Sequence, residues 1–251
     1  MTMEIQQKLL NILAPAAASR TVDTVRIGLG YTAVRLNDGS TGLAWTPPAL
    51  GGSCTHLDCA GALAGQSAGE LLRNLLDERP LLRTLGLATA NALLAAQPHP
   101  DATTVDALEP LAVTAQDHVG MVGYFGPLVR DLKKIGCRLD IIELDSNRPD
   151  TLSPRAGRSV LAACDVAIIT GTSLVTGTTD ELLTSLGRPR AAVLLGPSAP
   201  LCPEAFAGTR LTQISGARVI DSEGVLRVVS EAGGTPLLKQ YVAFETIPLR
   251  P

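Results

Sequence analysis

The chain has 251 residues, 45% of them hydrophobic and 18% charged, which is enough for one large core or two of ordinary size. The net charge of −3, the lack of a basic run and the few aromatic residues (three Phe, three Tyr, one Trp) argue against a nucleic-acid partner. No run of about 18 apolar residues occurs, so no membrane span is expected. Five cysteines without the spacing of a disulfide framework predict a reducing, cytoplasmic setting.

The first half predicts an α+β arrangement. In "MTMEIQQKLLNILAPAAASR" the apolar residues recur at helical spacing, which favours an amphipathic first helix over a signal peptide. Two strand-like runs, "VRIGLGYTAVRL" and "TGLAW", flank Asp38-Gly39, a typical hairpin turn. After a loop rich in glycine and cysteine, "SAGELLRNLLDE" and "PLLRTLGLATANALLAAQ" carry apolar residues three and four apart, which predicts two helices.

The second half alternates strands with helices. The predicted strands are "HVGMVGYF", "RLDIIELD", "DVAIITGT" and "RAAVLLGPS", and the helices between them are "GPLVRDLKKIG", "RAGRSVLAAC" and "TTDELLTSL". Continuous apolar strands separated by short helices predict a parallel sheet covered on both faces. The end is less regular, with "ARVID" as a short strand, "SEGVLRVVSEAGG" as a helix, and a tail.

A domain boundary is predicted between the two halves. The stretch "PHPDATTVDALEPLAVTAQD" is rich in proline, aspartate and threonine and interrupts the helical pattern. We therefore expect a domain of residues 1–105 followed by a domain of residues 106–251.

Small or polar residues follow each of the four predicted parallel strands. They are Gly123, Tyr124 and Gly126 after the first strand, Asp145 after the second, Thr170, Gly171 and Thr172 after the third, and Gly196, Pro197 and Ser198 after the fourth. In open α/β sheets ligands bind at the carboxyl ends of the strands, so these residues are the predicted ligand site. Asn91, from the last helix of the first half, is a further candidate that could turn its amide toward the site.

The glycines of the first loop, Gly120, Gly123 and Gly126, are spaced three and three. That departs from the G-x-G-x-x-G fingerprint and argues against an orthodox NAD site. The helix that begins near Pro127 can still receive an anion at its N-terminus. Glu143 and Asp145 come about 20 residues after the glycines, where an acid can meet ribose hydroxyls, although Asp145 fits a turn equally well.

Five separated segments, "IGLGYTAVRL", "LATANALL", "VGMVGYFGPLV", "AIITGTSLVTGTTDELL" and "LGPSAPLCP", occur in this order along nearly the whole chain. In them the chain resembles the family named for putative heavy-metal chelation, whose function is unknown. The resemblance implies an α/β fold in which a small α+β domain like the enolase N-terminal domain precedes a Rossmann-like parallel-sheet domain. It also implies an active site between the two domains.

The loop "GGSCTHLDCAG" brings Cys54, His56 and Cys59 within six residues. Thiolate and imidazole together suit zinc, copper or another transition metal, so these three are candidate metal ligands. The spacing matches no standard zinc module, and buried structural cysteines are the alternative.

Three functions remain open from the sequence. The first is a cytoplasmic protein that binds a small anionic or metal-complexed ligand in an interdomain cleft, with heavy-metal chelation or handling as its role. The second is a transferase that uses a nucleotide or S-adenosylmethionine, and the third is a non-catalytic metal-responsive or storage module. A small-molecule or metal-complex partner is expected, and a homo-oligomer is left open.

Overall fold

The architecture is taken from a computed structural model, which describes residues 4–48, 56–97, 99–144 and 148–249. The first half contains three helices and a three-stranded sheet. The helices are α1 (Glu4–Ala17), α2 (Ala68–Arg73), which a 3-10 turn (Asn74–Leu76) extends, and α3 (Pro80–Ala95). The strands are β1 (Val22–Ile27), β2 (Tyr31–Leu36) and β3 (Thr41–Trp45), and they are antiparallel in the order β1-β2-β3.

The predicted hairpin at Asp38-Gly39 is confirmed. Strands β2 and β3 pair in antiparallel register from Arg35↔Thr41 outward, and Gly39 adopts a φ of 87°. A side chain rarely adopts that backbone conformation, which explains a glycine at this place in the turn.

The second half forms a six-stranded sheet. Its strands are β4 (His118–Val122), β5 (Arg138–Ile142), β6 (Val166–Thr170), β7 (Ala191–Leu195), β8 (Gln213–Val219) and β9 (Val242–Pro248). Its helices are α4 (Gly126–Ile135), α5 (Pro154–Ala163), α6 (Ser173–Thr176), α7 (Thr179–Ser185), α8 (Ser222–Ser230) and α9 (Thr235–Leu238). Short 3-10 turns occur at Glu109–Leu111 and Pro203–Phe206.

The strand order is β5-β4-β6-β7-β8-β9, with β4 to β8 parallel and β9 antiparallel. The fold class predicted from the sequence, a small α+β part followed by a Rossmann-like parallel sheet, is confirmed. The chain runs from β4 to β5 on one side and then returns to β6 on the other, so the strand order reverses between β4 and β6. Such a reversal is where doubly wound sheets place their ligands.

The end of the chain differs from the expected tail. Residues 242–248 form β9, which pairs with β8 over its whole length, from Val219↔Val242 to Gln213↔Pro248. The sequence around "VAFETIP" has no turn signal and mixes apolar with polar residues. Its strand character therefore depends on the partner β8, a tertiary effect that local pattern cannot reveal.

Both faces of the larger sheet are covered, as predicted. On β6, Ala167 and Ile169 belong to a core cluster that also contains Leu9 of α1 and Leu85 of α3. The alternating residues of β6, such as Ile168, belong to a second cluster with Leu132 of α4. One continuous core therefore joins the first half of the chain to one face of the larger sheet. The domain boundary at residues 105/106 stays a prediction.

The halves also meet through polar and backbone contacts. The carboxylate of Asp180, at the start of α7, accepts hydrogen bonds from the first amides of α1, Glu4 N at 3.1 Å and Ile5 N at 3.3 Å.

Within the first half, β3 packs directly on the backbone of α3. A Cβ added to Gly42 would lie only 2.1 Å from the backbone nitrogen of Ala92.

Among the described residues, no helix is long and apolar enough to cross a membrane.

An ion pair secures the amino ends of the parallel strands. The carboxylate of Asp117 accepts hydrogen bonds from Arg190 Nη2 at 2.7 Å and from the backbone nitrogen of Thr114 at 2.6 Å. The guanidinium of Arg190 and these bonds hold the pKa of Asp117 at about 2, below its usual 3.8.

We expect the Asp117→Asn variant to lose about 1 kcal/mol of unfolding free energy at pH 7, because Arg190 is partly exposed and solvent weakens the pair. A lowered pKa in the folded state stabilises the protein above the usual pKa of the group, and this stabilisation is lost as the pH falls toward the folded value. The difference between wild type and variant should therefore be full above about pH 4 and vanish near pH 2. Urea unfolding at pH 7, 4 and 2.5 measures it, and a difference that grows on acidification would contradict the assignment.

Candidate functional site

The loops after β4 and β6 touch at the point where the strand order reverses. Gly123, the first residue after β4, has a φ of 88°. A Cβ added there would lie 3.0 Å from the Cβ of Thr170, at the end of β6. Gly123 therefore permits both the turn of the chain and the close approach of the two loops.

The loop after β6 presents two hydroxyl groups at this place. Thr170 Oγ1 and Thr172 Oγ1 lie 3.0 Å apart, and both residues are half-buried. Gly171 between them is buried, and a Cβ there would lie 2.6 Å from the backbone nitrogen of Ala199 in the loop after β7. The third and fourth strand loops are thus in contact as well.

Helix α4 begins beside these loops, and no side chain caps its first turn. Phe125 at its N-cap position makes no side-chain hydrogen bond, and its carbonyl accepts the amide of Val129. Within the described part of the chain, the amides of Gly126 and Leu128 have no acceptor. Free amides at the positive end of a helix bind anions. Among the described residues, a Cβ on Gly126 would meet Tyr124 Cε1 at 3.7 Å, an ordinary van der Waals contact, so these residues leave room for a side chain there.

Gly196 completes the edge on the side of β7. It has a φ of 116°, and a Cβ there would lie 3.8 Å from Phe125 Cε1. Pro197 follows it and is half-buried. Gly123, Gly126, Thr170 and Gly196 therefore belong to one continuous edge, which we call the carboxyl edge, together with Tyr124, Gly171, Thr172 and Pro197.

Two predicted site residues use their polar atoms to hold strand β3 in place. The Ser198 hydroxyl accepts a hydrogen bond from the Trp45 amide at 2.8 Å, and Ser198 is only 1% exposed. The Asn91 amide donates to the Leu43 carbonyl at 2.7 Å. The first bond joins β3 to the loop after β7, and the second joins β3 to α3. Asn91 faces a separate small cavity of about 20 Å³ beside Glu245.

Two cationic residues that the sequence interpretation missed lie next to the carboxyl edge. The Arg148 guanidinium carbon lies 4.1 Å from the centre of the Tyr124 ring, and Lys133 of α4 lines a groove together with these two residues. The sequence signal was weak, because Arg148 stands in an irregular loop and Lys133 is one of several charges on an amphipathic helix. Only the fold brings them to the glycine loop.

The remaining candidate residues are Asp145 and the three proposed metal ligands. Asp145 and Cys54 lie outside the described residues. His56 and Asp58 are exposed, with His56 Nε2 3.6 Å from Asp58 Oδ1, and Cys59 is half-buried nearby in the sequence. Among the described residues, no group of three or more His, Cys, Asp or Glu side chains is arranged to hold a metal ion. The metal role of Cys54, His56 and Cys59 stays a prediction.

The cysteines in the core of the larger sheet do not offer a reactive thiolate. Burial raises the pKa of Cys202 to about 12, and burial also raises the pKa of Cys164. Both thiols are therefore protonated at neutral pH, as expected of cysteines that serve packing.

Comparison with known proteins identifies the family. A family model described as "Putative heavy-metal chelation" (DUF364) matches residues 106–248, and a second model with the same description (DUF4213) matches residues 10–94. The chain belongs to this family. The resemblance seen in the sequence is thereby confirmed, and the family description itself names heavy-metal chelation.

The relatives match nearly the whole length of the chain. It is 27% identical over 244 residues to an uncharacterized protein of Methanocaldococcus jannaschii, covering 94% of this chain and 93% of that one. A crystal structure from Desulfitobacterium hafniense, a DUF364 protein of unknown function, matches with a TM-score of 0.80 at 25% identity, over 96% of this chain and 98% of that one. A DUF364 protein of unknown function from Pyrococcus horikoshii has the same fold, with a TM-score of 0.85 at 22% identity over 98% of this chain and all of that one.

The residues of the carboxyl edge do not fit a bare heavy-metal ion. Backbone amides donate hydrogen bonds and cannot coordinate a cation, and threonine hydroxyls are poor ligands for soft metals, which prefer thiolate and imidazole. The same groups suit phosphate or carboxylate oxygens. The described residues of the carboxyl edge therefore offer donors to ligand oxygens and no thiolate or imidazole for a soft metal.

Proposed function

We propose that the protein binds a small ligand with anionic oxygen groups at the carboxyl edge, either free or as the organic shell of a metal complex. The observation that carries the proposal is the uncapped start of α4, which lies beside the touching loops after β4 and β6. The helix supplies free amides, and Thr170 and Thr172 supply hydroxyls that can donate to ligand oxygens.

The family description supports the second form of the ligand, in which a chelator carries the metal. The groups of the edge then contact the oxygens of the chelator, and the metal is cargo. The absence of a disulfide framework supports a cytoplasmic setting for this activity. Ser198 acts in this proposal as a positioning residue, because its hydroxyl is held by the Trp45 amide.

We expect the Gly126→Val variant to weaken binding of inorganic phosphate, citrate or the zinc–citrate complex by about tenfold, since the added side chain would cover the helix amides. Gly126 is helical and its surroundings are open, so the variant should unfold cooperatively near the wild-type temperature. Isothermal titration with the three probes, and with zinc ion alone, measures the binding. Thermal unfolding checks the fold.

The Gly69→Val variant is the matched control, because Gly69 also stands in the first turn of a helix, α2, but far along the chain from the carboxyl edge. It should leave the affinities unchanged. Equal affinities in wild type and Gly126→Val, or no binding of any oxygen-rich probe to the wild type, would overturn the proposal. Tight binding of zinc ion alone with no binding of citrate would favour direct chelation instead.

A further inference from the structure

A groove of about 470 Å³ lies between Tyr124, helix α4, strand β5 and residues 148–150, and β5 is the edge strand of the larger sheet. Its floor is apolar, because Val129 of α4 and Ile141 of β5 line it and are only 4% and 7% exposed. Pro149 adds to the apolar lining. The volume lies within the range of small-molecule sites, roughly 300–1,000 Å³.

The walls of the groove carry a cationic pair in a protein of net negative charge. Lys133 and Arg148 both line it, and neither has a carboxylate partner among the described residues. Asp150 is the acidic residue of the lining. Lys133 and Arg148 offer hydrogen-bond donors and no acceptors, so they favour a ligand with acceptor atoms or negative charge.

The Tyr124 ring gives the groove a surface for a flat group. The ring is 42% exposed, and the Arg148 guanidinium lies over one of its two faces, 4.1 Å from the ring centre, so ring and guanidinium form one stacked pair. Aromatic rings and guanidinium planes are the surfaces on which conjugated rings stack. Tyr124 Cε1 also lies 3.7 Å from the Cβ position of Gly126. The stacking surface is thus contiguous with the uncapped start of α4.

We propose that the groove takes the base of a nucleoside phosphate whose phosphate group lies at the start of α4. The inference rests on the proposed function and names the ligand class. Lys133 stands seven residues after Gly126, about 10 Å along the helix, so a ligand must have an extended polar body to use both ends. A phosphate at the helix amides, a ring on Tyr124 and base acceptors toward Lys133 and Arg148 meet this requirement, whereas phosphate or citrate alone fills only one end.

Isothermal titration with inorganic phosphate, ribose 5-phosphate and adenosine monophosphate tests the inference. For the wild type we expect adenosine monophosphate to bind at least about tenfold more tightly than ribose 5-phosphate, the gain being that of a stacked base. Tyr124→Leu and Arg148→Ala should remove this gain and leave ribose 5-phosphate binding unchanged. Tyr124→Phe, which keeps the ring, should retain the gain.

The role of the Lys133 charge on α4 is tested by a variant and a matched control. Lys133→Ala should weaken adenosine monophosphate binding several-fold, whereas Lys134→Ala, which removes a neighbouring charge paired with Asp131, should not. Equal affinities for adenosine monophosphate and ribose 5-phosphate, or a gain that survives Tyr124→Leu, would overturn the nucleoside class. If the nucleoside class fails in this way but Gly126→Val still weakens phosphate binding, the proposed function stands. The failure of this inference can therefore be distinguished from the failure of the proposed function.

Discussion

Replacing Gly42 with alanine should destabilise the protein by about 3 kcal/mol, because the strand carrying it lies against a helix with no room for a Cβ. The added atom would stand 2.1 Å from the Ala92 nitrogen, 2.2 Å from the Ala88 carbonyl oxygen and 2.6 Å from the carbonyl carbon of Asn91. All three are backbone atoms of α3, so no side-chain rotation relieves the contact. Strand and helix would have to separate, which would also strain the Asn91–Leu43 hydrogen bond.

Urea unfolding of the purified variant measures this loss as a lower midpoint with an unchanged slope. The matched control is Gly69→Ala in α2, where the nearest atom to an added Cβ is the Ser67 hydroxyl oxygen at 3.4 Å. Alanine is the better helix former, so this variant should be as stable as wild type or gain up to about 1 kcal/mol. A Gly42→Ala protein as stable as wild type would show that β3 and α3 are farther apart than described.

Replacing Arg83 with alanine should also cost about 3 kcal/mol of unfolding free energy, because it removes a buried tie between the two halves. Arg83 is 5% exposed and donates to the Val175 carbonyl from Nε at 2.6 Å. Its Nη1 donates to the carbonyls of Asp77 and Glu78 at 2.8 and 2.9 Å. Burial lowers the pKa of this guanidinium. A buried charge needs hydrogen-bond partners, and the three carbonyls supply them.

Arg79→Ala is the matched control for Arg83→Ala. Arg79 stands one helical turn earlier and is mostly exposed, with an ion pair to Asp77. Solvent-exposed pairs contribute little, so its loss should barely move the urea midpoint. Similar small effects for both variants would contradict the assigned role of Arg83. Since Val175 follows the loop that carries Thr170 and Thr172, a shifted loop in Arg83→Ala should also weaken binding of the phosphate probe.

Hydrophobic pattern was sufficient to predict most of the framework. Strands β4 to β7 are short apolar runs, and each lies where its run predicted, as with Val166–Thr170. Strand β8, Gln213–Val219, begins four residues before the predicted run "ARVID". The carboxyl edge followed from topology, because parallel strands deliver their next loops to one side of the sheet. Strand β9 was not predicted, since its residues become a strand only through pairing with β8.

The contacts between the halves could not be predicted in the same way. Gly42 inside a strand was a hint of close backbone approach, but the sequence does not say what approaches. Arg83 reads as an ordinary charge on a helix, and its acceptor is a carbonyl 92 residues away. Tyr124 was placed correctly after β4, whereas its Arg148 partner depends on the path of the loop after β5. Contacts of this kind are set by packing and not by local periodicity.

The Asp180 carboxylate that receives the first amides of α1 has a consequence for the order in which the molecule forms. The two bonds join residues that lie 176 and 175 positions apart, so the first amides of α1 lack this acceptor until α7 has been synthesised. Leu9 of that helix belongs to the same core cluster as Ile169 of β6, so this cluster is complete only after β6 has been synthesised. Contacts between such distant positions slow folding, because a long loop must close before they form. The apolar residues of α1 that join this cluster are thus only partly covered until β6 and α7 have been synthesised.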